Sequence, residues 1–280
     1  MSATNNKLTY HLGGTLEINR LGYGGMQLTG NGVWGDPADL PNAIKVLKEA
    51  VAGGVDFIDT ADAYGPNTNE TLIADALHPY GKVVIATKGG FTRTGPGQWI
   101  VNGNPQYIRS AIEGSLRRLK VECIDLWQLH RFDGNVPVEE TLAPVAEAVK
   151  AGKIKYVGLS EVGIAQIERA EKVVPVVSVQ NLYNLGERKW EELVDYTAKR
   201  NMAFIPWYPL ASGPAKLESK IQAIAAKHKA TTAQIALAWL LHRSPNILLI
   251  PGTKSLQHLH ENLAAAKITL TSQEFEELSN

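Results

Sequence analysis

The sequence predicts a (β/α)8 barrel, one domain over residues 1–280, with a short β-hairpin ahead of the first barrel strand. Three observations carry this prediction. Eight short apolar or β-branched runs recur from Arg20 onward, and nearly every gap between them has helical periodicity. No change of composition marks a linker, and the gaps are long enough for right-handed crossovers. The length of 280 residues is near the roughly 250 typical of this architecture. A doubly wound sheet would want a glycine-rich phosphate turn after its first strand. GYGGM at 22–26 has the glycines but not the GxGxxG spacing.

The elements follow in order. Residues 7–12 (KLTYHL) and 16–21 (LEINRL) flank Gly13-Gly14, a turn signal, and read as the hairpin. Residues 20–26 are the first barrel strand. Residues 30–41 are loop, and 41–52 are helix, with Pro41 in the first turn and Gly53-Gly54 as the stop. Val55, Phe57 and Ile58 suit a buried strand that ends at Asp59. Asn69 is the N-cap candidate for a helix over 69–77. Residues 82–87 (KVVIAT) are a strand ending at Lys88, and 91–104 read as a long loop. Asn104-Pro105 opens a helix that runs through Leu119. The strand at 124–129 ends at His130, that at 154–159 at Ser160, and that at 176–180 at Gln180. Helices at 138–150, 164–173 and 187–200 lie between and after them. The seventh strand, 202–207, stops before Pro209. Helices follow at 217–228 and 231–242, then the eighth strand at 247–250 and helices at 255–266 and 272–278.

Composition sets bounds on function. Lys plus Arg and Asp plus Glu are 28 each, a formal net charge of 0, which argues against a protein dominated by nucleic-acid binding. The single cysteine, Cys123, rules out an intrachain disulfide framework and reads as an inert core thiol at a strand start, with a nucleophile as the minor alternative. No apolar run is long enough to span a bilayer, and the first residues carry no apolar leader segment. The expectation is a soluble cytoplasmic enzyme without a membrane or nucleic-acid partner.

The stretch 54–65 (GVDFIDTADAYG) is where chemistry is expected, because a barrel collects strand-end residues at its C-terminal face. There Asp59, Tyr64, Lys88 and His130 come from strands two, three and four. Each has an ordinary structural role when taken alone; their coincidence at successive strand ends carries the reading. Reversible hydride transfer to a carbonyl needs such a set. Charge develops on the carbonyl oxygen, which must be stabilised and protonated. Tyr64 is the candidate proton donor. Lys88 is expected to lower its phenol pKa, Asp59 to hold Lys88 charged, and His130 to orient the carbonyl.

The segments DTADAYG, ATKGG, WQLHR and IPGTKSLQHLHENL resemble the aldo-keto reductases, and the resemblance covers nearly the whole chain. It implies a (β/α)8 barrel that reduces aldehydes and ketones with NADPH, less often NADH, and without a metal. The family's tetrad falls on Asp59, Tyr64, Lys88 and His130. Ser160 and Gln180 match the residues that hold the nicotinamide carboxamide, while Glu161 replaces the usual asparagine. Trp207 stands where a tyrosine usually stacks on the nicotinamide. Tyr208, Pro209, Leu210 and Gly213 match the loop that passes the pyrophosphate. Gly25, Met26, Asp59, Ile250 and Gly252 fall along the cofactor. Thr253 and Lys254 match its phosphate end, and Glu261 and Asn262 the adenine amide. His258 stands where many relatives carry an arginine for the 2'-phosphate. Because a neutral histidine binds phosphate less strongly, NADH stays possible beside NADPH.

Trp34, Phe91, Trp99 and Arg131 are expected to shape the substrate pocket, with Tyr23 and Met26 of the first strand beside them. The loop ASGPAK and the tail after Leu270 are shorter than in steroid-binding relatives, which implies an open pocket and a small carbonyl substrate. The opening INRLGYGGMQLTGNGVWG is similar to pyridoxal-reducing members, so pyridoxal is a candidate. The family suggests a monomer. Two other readings stay open at this point: a nucleotide-sensing partner subunit of a channel or other complex, and a metal-assisted hydrolase using His130, Asp59 and Asp62.

Overall fold

A computed structural model describes residues 8–210 and 215–280 of the chain. In chain order the first elements are β1 (Thr9–Leu12), β2 (Leu16–Asn19), β3 (Tyr23–Gly24), α1 (Leu40–Ala52), β4 (Phe57–Asp59), α2 (Thr68–Leu77), β5 (Val84–Gly89), β6 (Phe91–Thr92), β7 (Ile100–Val101) and α3 (Pro105–Leu119). They continue with β8 (Ile124–Leu129), α4 (Val138–Lys150), β9 (Ile154–Ser160), α5 (Ile164–Ala170), β10 (Ser178–Gln180), α6 (Glu191–Lys199), β11 (Ala203–Phe204), α7 (Ala215–His228), α8 (Thr232–Arg243), α9 (Leu256–Ala264) and α10 (Ser272–Ser279).

Seven parallel strands stand side by side in the order β3, β4, β5, β8, β9, β10, β11. Residues 247–249 close the ring as the expected eighth strand. Ile247 pairs with Phe204 on one side, and Leu249 pairs with Leu21 on the other, both in parallel. Backbone bonds seal the seam: Leu248 N to Phe204 O at 2.9 Å, Gly22 N to Leu249 O at 2.8 Å and Leu249 N to Arg20 O at 2.7 Å. Arg20 is 1 % exposed and fastens the closure from its side chain. Its guanidinium donates to Ile247 O at 3.0 Å and Leu241 O at 2.9 Å. Gly24 has a packing reason to be glycine, since a Cβ there would stand 2.5 Å from Ile250 O.

The β1–β2 hairpin lies outside the barrel ladder. Its Leu12 and Ile18 are fully buried and cluster with Phe57, Val84, Leu126, Ala203 and Leu248, all inward residues near strand starts. The hairpin therefore stops the mouth opposite the strand ends. Gly13 and Gly14, at φ +57° and +78°, make its turn in the region that glycine enters without steric penalty.

Helix boundaries follow local chemistry at several ends. Asn104 caps α3 by accepting from Gln106 N at 2.9 Å, with Pro105 in the first turn as predicted. Thr231 and Gln234 form a reciprocal capping box at α8. The α2 boundary differs from the prediction. The helix starts at Thr68, after Asn67 at φ +69°, and Asn69 is a buried clamp, not a cap. Its amide donates to Gly25 O at 2.9 Å and Leu28 O at 3.2 Å, and its oxygen accepts from Thr60 Oγ1 at 2.7 Å. The predicted 91–104 loop contains a two-stranded ladder, Phe91 opposite Val101. Cys123 is exposed and not in the core as expected.

Alternation along each strand places the chemistry. Inward residues low in the barrel are apolar or small, and the next inward position on the same strand is polar. Phe57 is followed by Asp59, Ala86 by Lys88, Leu126 by Gln128 and then His130, Gly158 by Ser160, and Ser178 by Gln180.

Candidate active site

A cleft of about 520 Å³ opens at the strand ends, with Asp59, Tyr64, His130, Ser160 and Gln180 among its lining residues. A larger hollow of about 620 Å³ lies over the 132–138 loop and α5, but its charged groups are already engaged. Arg169 there pairs with Glu139 at 2.7 Å, and Asp133 accepts from Gly103 N at 3.1 Å. The polar cleft is the candidate site.

Lys88 lies behind the lining residues Asp59 and Tyr64 with no exposed surface, and its ammonium has three partners. It pairs with Asp59 Oδ1, donates to Thr60 O at 2.8 Å and donates to Tyr64 OH at 3.3 Å. All three N–H groups are thereby engaged, so the hydrogen of Tyr64 is not needed in this contact and remains available to a group in the cleft. The second Asp59 oxygen accepts from Gln128 Nε2 at 3.0 Å and Gln180 Nε2 at 2.9 Å. Gln128 was not foreseen from the sequence. A glutamine two residues before His130, in an otherwise apolar strand, was the available signal, because that spacing puts both side chains on one face.

The protonation states suit proton donation. Burial pulls the Lys88 ammonium down, but Asp59 and then Tyr64 outweigh it and hold the group above the usual lysine range. Burial pushes the Tyr64 phenol up, and Lys88 only partly offsets this. The expectation that Lys88 would leave the phenol with a lowered pKa is corrected: burial is the larger effect, and Tyr64 keeps its proton. Burial, then Lys88, Arg131 and Arg93, hold His130 well below the usual histidine range, so it is a neutral imidazole. Among the described residues its buried Nδ1 has no hydrogen-bond partner.

Aromatic rings wall the cleft. Phe91 lies 4.7 Å from His130 and 5.4 Å from Trp99, ring centre to ring centre, in edge-to-face contacts. Arg93 stacks over Trp99 at 3.7 Å, and its guanidinium holds four backbone carbonyls, those of Gly32, Val33, Ala63 and Gln98. Met26, Phe91, Trp99 and Arg131 line the cleft, and so do Trp207, Tyr208, Pro209, Leu210, Ile250 and Gly252. Tyr23 and Trp34 do not. Tyr23 is fully buried, with its hydroxyl on Thr253 O at 2.5 Å, and Trp34 is bridged to Gly65. Gly25 is buried beneath the Asn69 clamp. Thr253, Lys254, His258, Glu261 and Asn262 lie beyond the cleft, at and along α9, where Ser255 caps the helix by accepting from His258 N. Thr253 Oγ1 accepts from Ser255 N at 3.0 Å, and Glu261 Oε1 accepts from Gln257 Nε2 at 2.8 Å. Gly213 lies outside the described residues.

Asp62 sits behind the site. Its buried Oδ1 has no partner among the described residues, and its Oδ2 lies 2.9 Å from the hydroxyl of Tyr107. That hydroxyl also lies 2.6 Å from Phe91 O. One hydroxyl hydrogen cannot serve both acceptors, and a proton on Asp62 resolves the conflict. Burial, with Glu70 adding to it, pushes the Asp62 carboxyl up to about 7 against the Tyr107 hydrogen bond. Because the folded value lies above the unfolded one, this group's favourable contribution is complete below about pH 4 and lost as pH rises through about 7. Asp62→Asn is therefore expected to raise Tm relative to the parent more at pH 8 than at pH 5. An equal difference at both pH values in calorimetry would show that Asp62 carries no proton in the fold.

Comparison with known proteins places this architecture. Residues 20–280 match the pattern of the aldo/keto reductase family. The chain is 48 % identical over 266 residues to an uncharacterised oxidoreductase of Schizosaccharomyces pombe, an alignment that spans 95 % of this chain and 87 % of that one. It is 42 % identical over 267 residues to pyridoxine 4-dehydrogenase of Escherichia coli K12, with 93 % of each covered. It superposes with a TM-score of 0.82 on an aldo/keto reductase of Klebsiella pneumoniae solved in complex with NADP and acetate, at 25 % identity, covering 97 % of this chain and 94 % of that one. The chain belongs to the aldo/keto reductase family. It is an oxidoreductase acting on carbonyl or CH–OH groups, which takes the place of the hydrolase reading.

Proposed function

We propose that the chain reduces a small aldehyde to its alcohol with NADPH, with Tyr64 as proton donor and a compact aromatic aldehyde such as pyridoxal as substrate. The observation that carries this reading is the Tyr64 hydroxyl in the cleft, with its oxygen held by the third N–H of Lys88 at 3.3 Å and its own hydrogen free.

The residues present fit a nicotinamide. Gln180 has its amide nitrogen engaged by Asp59 and Gln128, which leaves its oxygen as an acceptor facing the cleft. Ser160 stands opposite Gln180 in the strand register, and its Oγ accepts from Arg131 Nη1 at 2.9 Å, which leaves its hydrogen to donate. A donor beside an acceptor is the complement of a primary carboxamide. Trp207 offers a flat face, held by its indole N–H on Glu161 Oε1 at 2.7 Å. Thr253, Lys254 and the capped start of α9 would take the phosphate end.

Bound NADPH supplies the hydride. Neutral His130 donates its one N–H toward the substrate oxygen and directs the carbonyl. As the carbonyl carbon accepts the hydride, its oxygen takes the Tyr64 proton and the product is an alcohol. The phenolate left on Tyr64 is held by the Lys88 ammonium until solvent returns a proton. In the reverse direction the same phenolate accepts the alcohol proton.

Support for the substrate comes from the aromatic walls and from the similarity to pyridoxine 4-dehydrogenase. Among the described residues no helix is long and apolar enough to cross a membrane. A nicotinamide-fluorescence titration with NADPH and with NADH, followed by an aldehyde panel that includes pyridoxal, tests the reading. Saturable NADPH binding and NADPH-dependent loss of aldehyde are expected, with pyridoxal among the better substrates. Binding without turnover on any aldehyde or ketone would sink it.

A further inference from the structure

Resting on the carbonyl-reducing reading above, we propose that Arg131 is the substrate-selecting residue of the cleft, and that the preferred carbonyl substrate carries an anionic oxygen which pairs with the unengaged edge of its guanidinium.

Arg131 lines the cleft directly after His130. Its Nη1 donates to His130 O at 2.6 Å and to Ser160 Oγ at 2.9 Å. Those bonds fix the plane of the group and use one edge. Nε and Nη2 have no hydrogen-bond partner among the described residues. Its Cζ lies 5.6 Å from the Phe91 ring centre and 6.0 Å from that of Trp207, so the guanidinium sits within cation–π reach of both rings. A fork of N–H donors so fixed suits a planar or bidentate anion.

No carboxylate among the described residues is paired with this group. Among the described residues Arg131 belongs to no ion pair. Glu161 is the carboxylate that acts on it electrostatically, and its Oε1 is already taken by Trp207 Nε1 at 2.7 Å and Leu182 N at 2.5 Å. Asp59 is bound to Lys88. Lys88, Arg93 and Arg131 thus face Asp59 and Glu161 around the site, an excess of positive charge next to the reacting carbonyl. Of the three cations only Arg131 lines the cleft. A half-buried guanidinium with unused donors is a standing electrostatic penalty that an anionic ligand removes. Carboxylates meet the requirement, and so does the ring-oxygen anion beside the aldehyde of pyridoxal in its zwitterionic form.

The test uses matched ligands on the full-length enzyme. The substrate pairs are 4-carboxybenzaldehyde with its methyl ester, and pyridoxal with its 3-O-methyl ether. The first pair reads a carboxylate and the second a ring-oxygen anion. In the parent, kcat/KM is expected to favour the anionic member of at least one pair by about tenfold or more, the size of one charge-assisted bond. Arg131→Met should abolish that preference, and Arg131→Lys should keep part of it. Equal loss for both members, or no preference in the parent, would overturn the proposal and leave Arg131 as support for His130 and Ser160. Quenching of tryptophan fluorescence by benzoate, against benzamide, reads the site without turnover. Benzoate binding is expected to weaken with added salt and in Arg131→Met, while benzamide binding stays unchanged. Arg131-dependent benzoate binding without any carbonyl turnover would leave the anion site standing and remove the proposed reaction. Benzoate binding insensitive to salt and to Arg131 would remove the anion site.

Discussion

Tyr64→Phe is expected to lower kcat by roughly 10²–10⁴-fold, the range for removing a positioned general acid, while NADPH affinity stays near that of the parent. The lost atom is a single oxygen at the cleft floor. The ring keeps its edge-to-face contacts with Trp99 and His130, and Lys88 keeps Asp59 and Thr60 O. The site therefore stays assembled, and the loss falls on the group that acts only as charge develops on the carbonyl oxygen. The check is a single-turnover measurement with enzyme in excess, beside a fluorescence titration of cofactor. Near-normal single-turnover rates would take the donor role from Tyr64 and pass it to His130 or to water. Weakened NADPH binding with unchanged chemistry would make Tyr64 a binding residue.

The barrel could be read from the sequence because its strands are buried on both faces and punctuated by glycine and proline. The runs ending at Asp59, Lys88, His130, Ser160 and Gln180 all lie in the barrel ladder or at its strand ends. What the sequence hid was set by distant contacts. Asn69 has a capping residue's chemistry near a helix start, yet the turn after β3 approaches closely enough for its amide to bind Gly25 and Leu28 instead. The β6–β7 ladder has two residues per strand, too few to show a period of two. The sign of the Tyr64 shift depended on burial, which a neighbouring lysine in the sequence cannot reveal. Tyr23 and Trp34 looked like pocket aromatics because residue type alone does not say which way a side chain faces. Strand alternation could have found Gln128, had it been applied to the polar residue before His130 as well as to the strand ends.

Lys88→Met is expected to damage both stability and catalysis, and a second substitution should separate the two. Asp59 is 2 % exposed, and its Oδ1 has Lys88 as its charge partner. Removing the ammonium leaves a buried carboxylate with only the amides of Gln128 and Gln180, a loss of about 3–5 kcal/mol in the general case of a broken buried pair. Replacing both members leaves no unpaired charge, so Asp59→Asn with Lys88→Met should recover most of that stability in denaturant titrations. Catalysis should not recover with it. The Lys88 ammonium pulls the Tyr64 phenol down against burial, so its removal lets the phenol rise further. Alcohol oxidation needs the phenolate, and its rate should rise at higher pH than in the parent. Aldehyde reduction needs the phenol, and its high-pH decline should move up as well. Because Lys88 titrates above the usual lysine range in the fold, its stabilising charge is complete at neutral pH and lost only as pH rises through that folded value. The stability gap between parent and Lys88→Met should therefore be constant from pH 7 to 9. A double variant as unstable as Lys88→Met would mean the ammonium holds Thr60 O and the strand end more than it balances Asp59. An unmoved pH profile would mean that Tyr64 does not sense Lys88 during turnover.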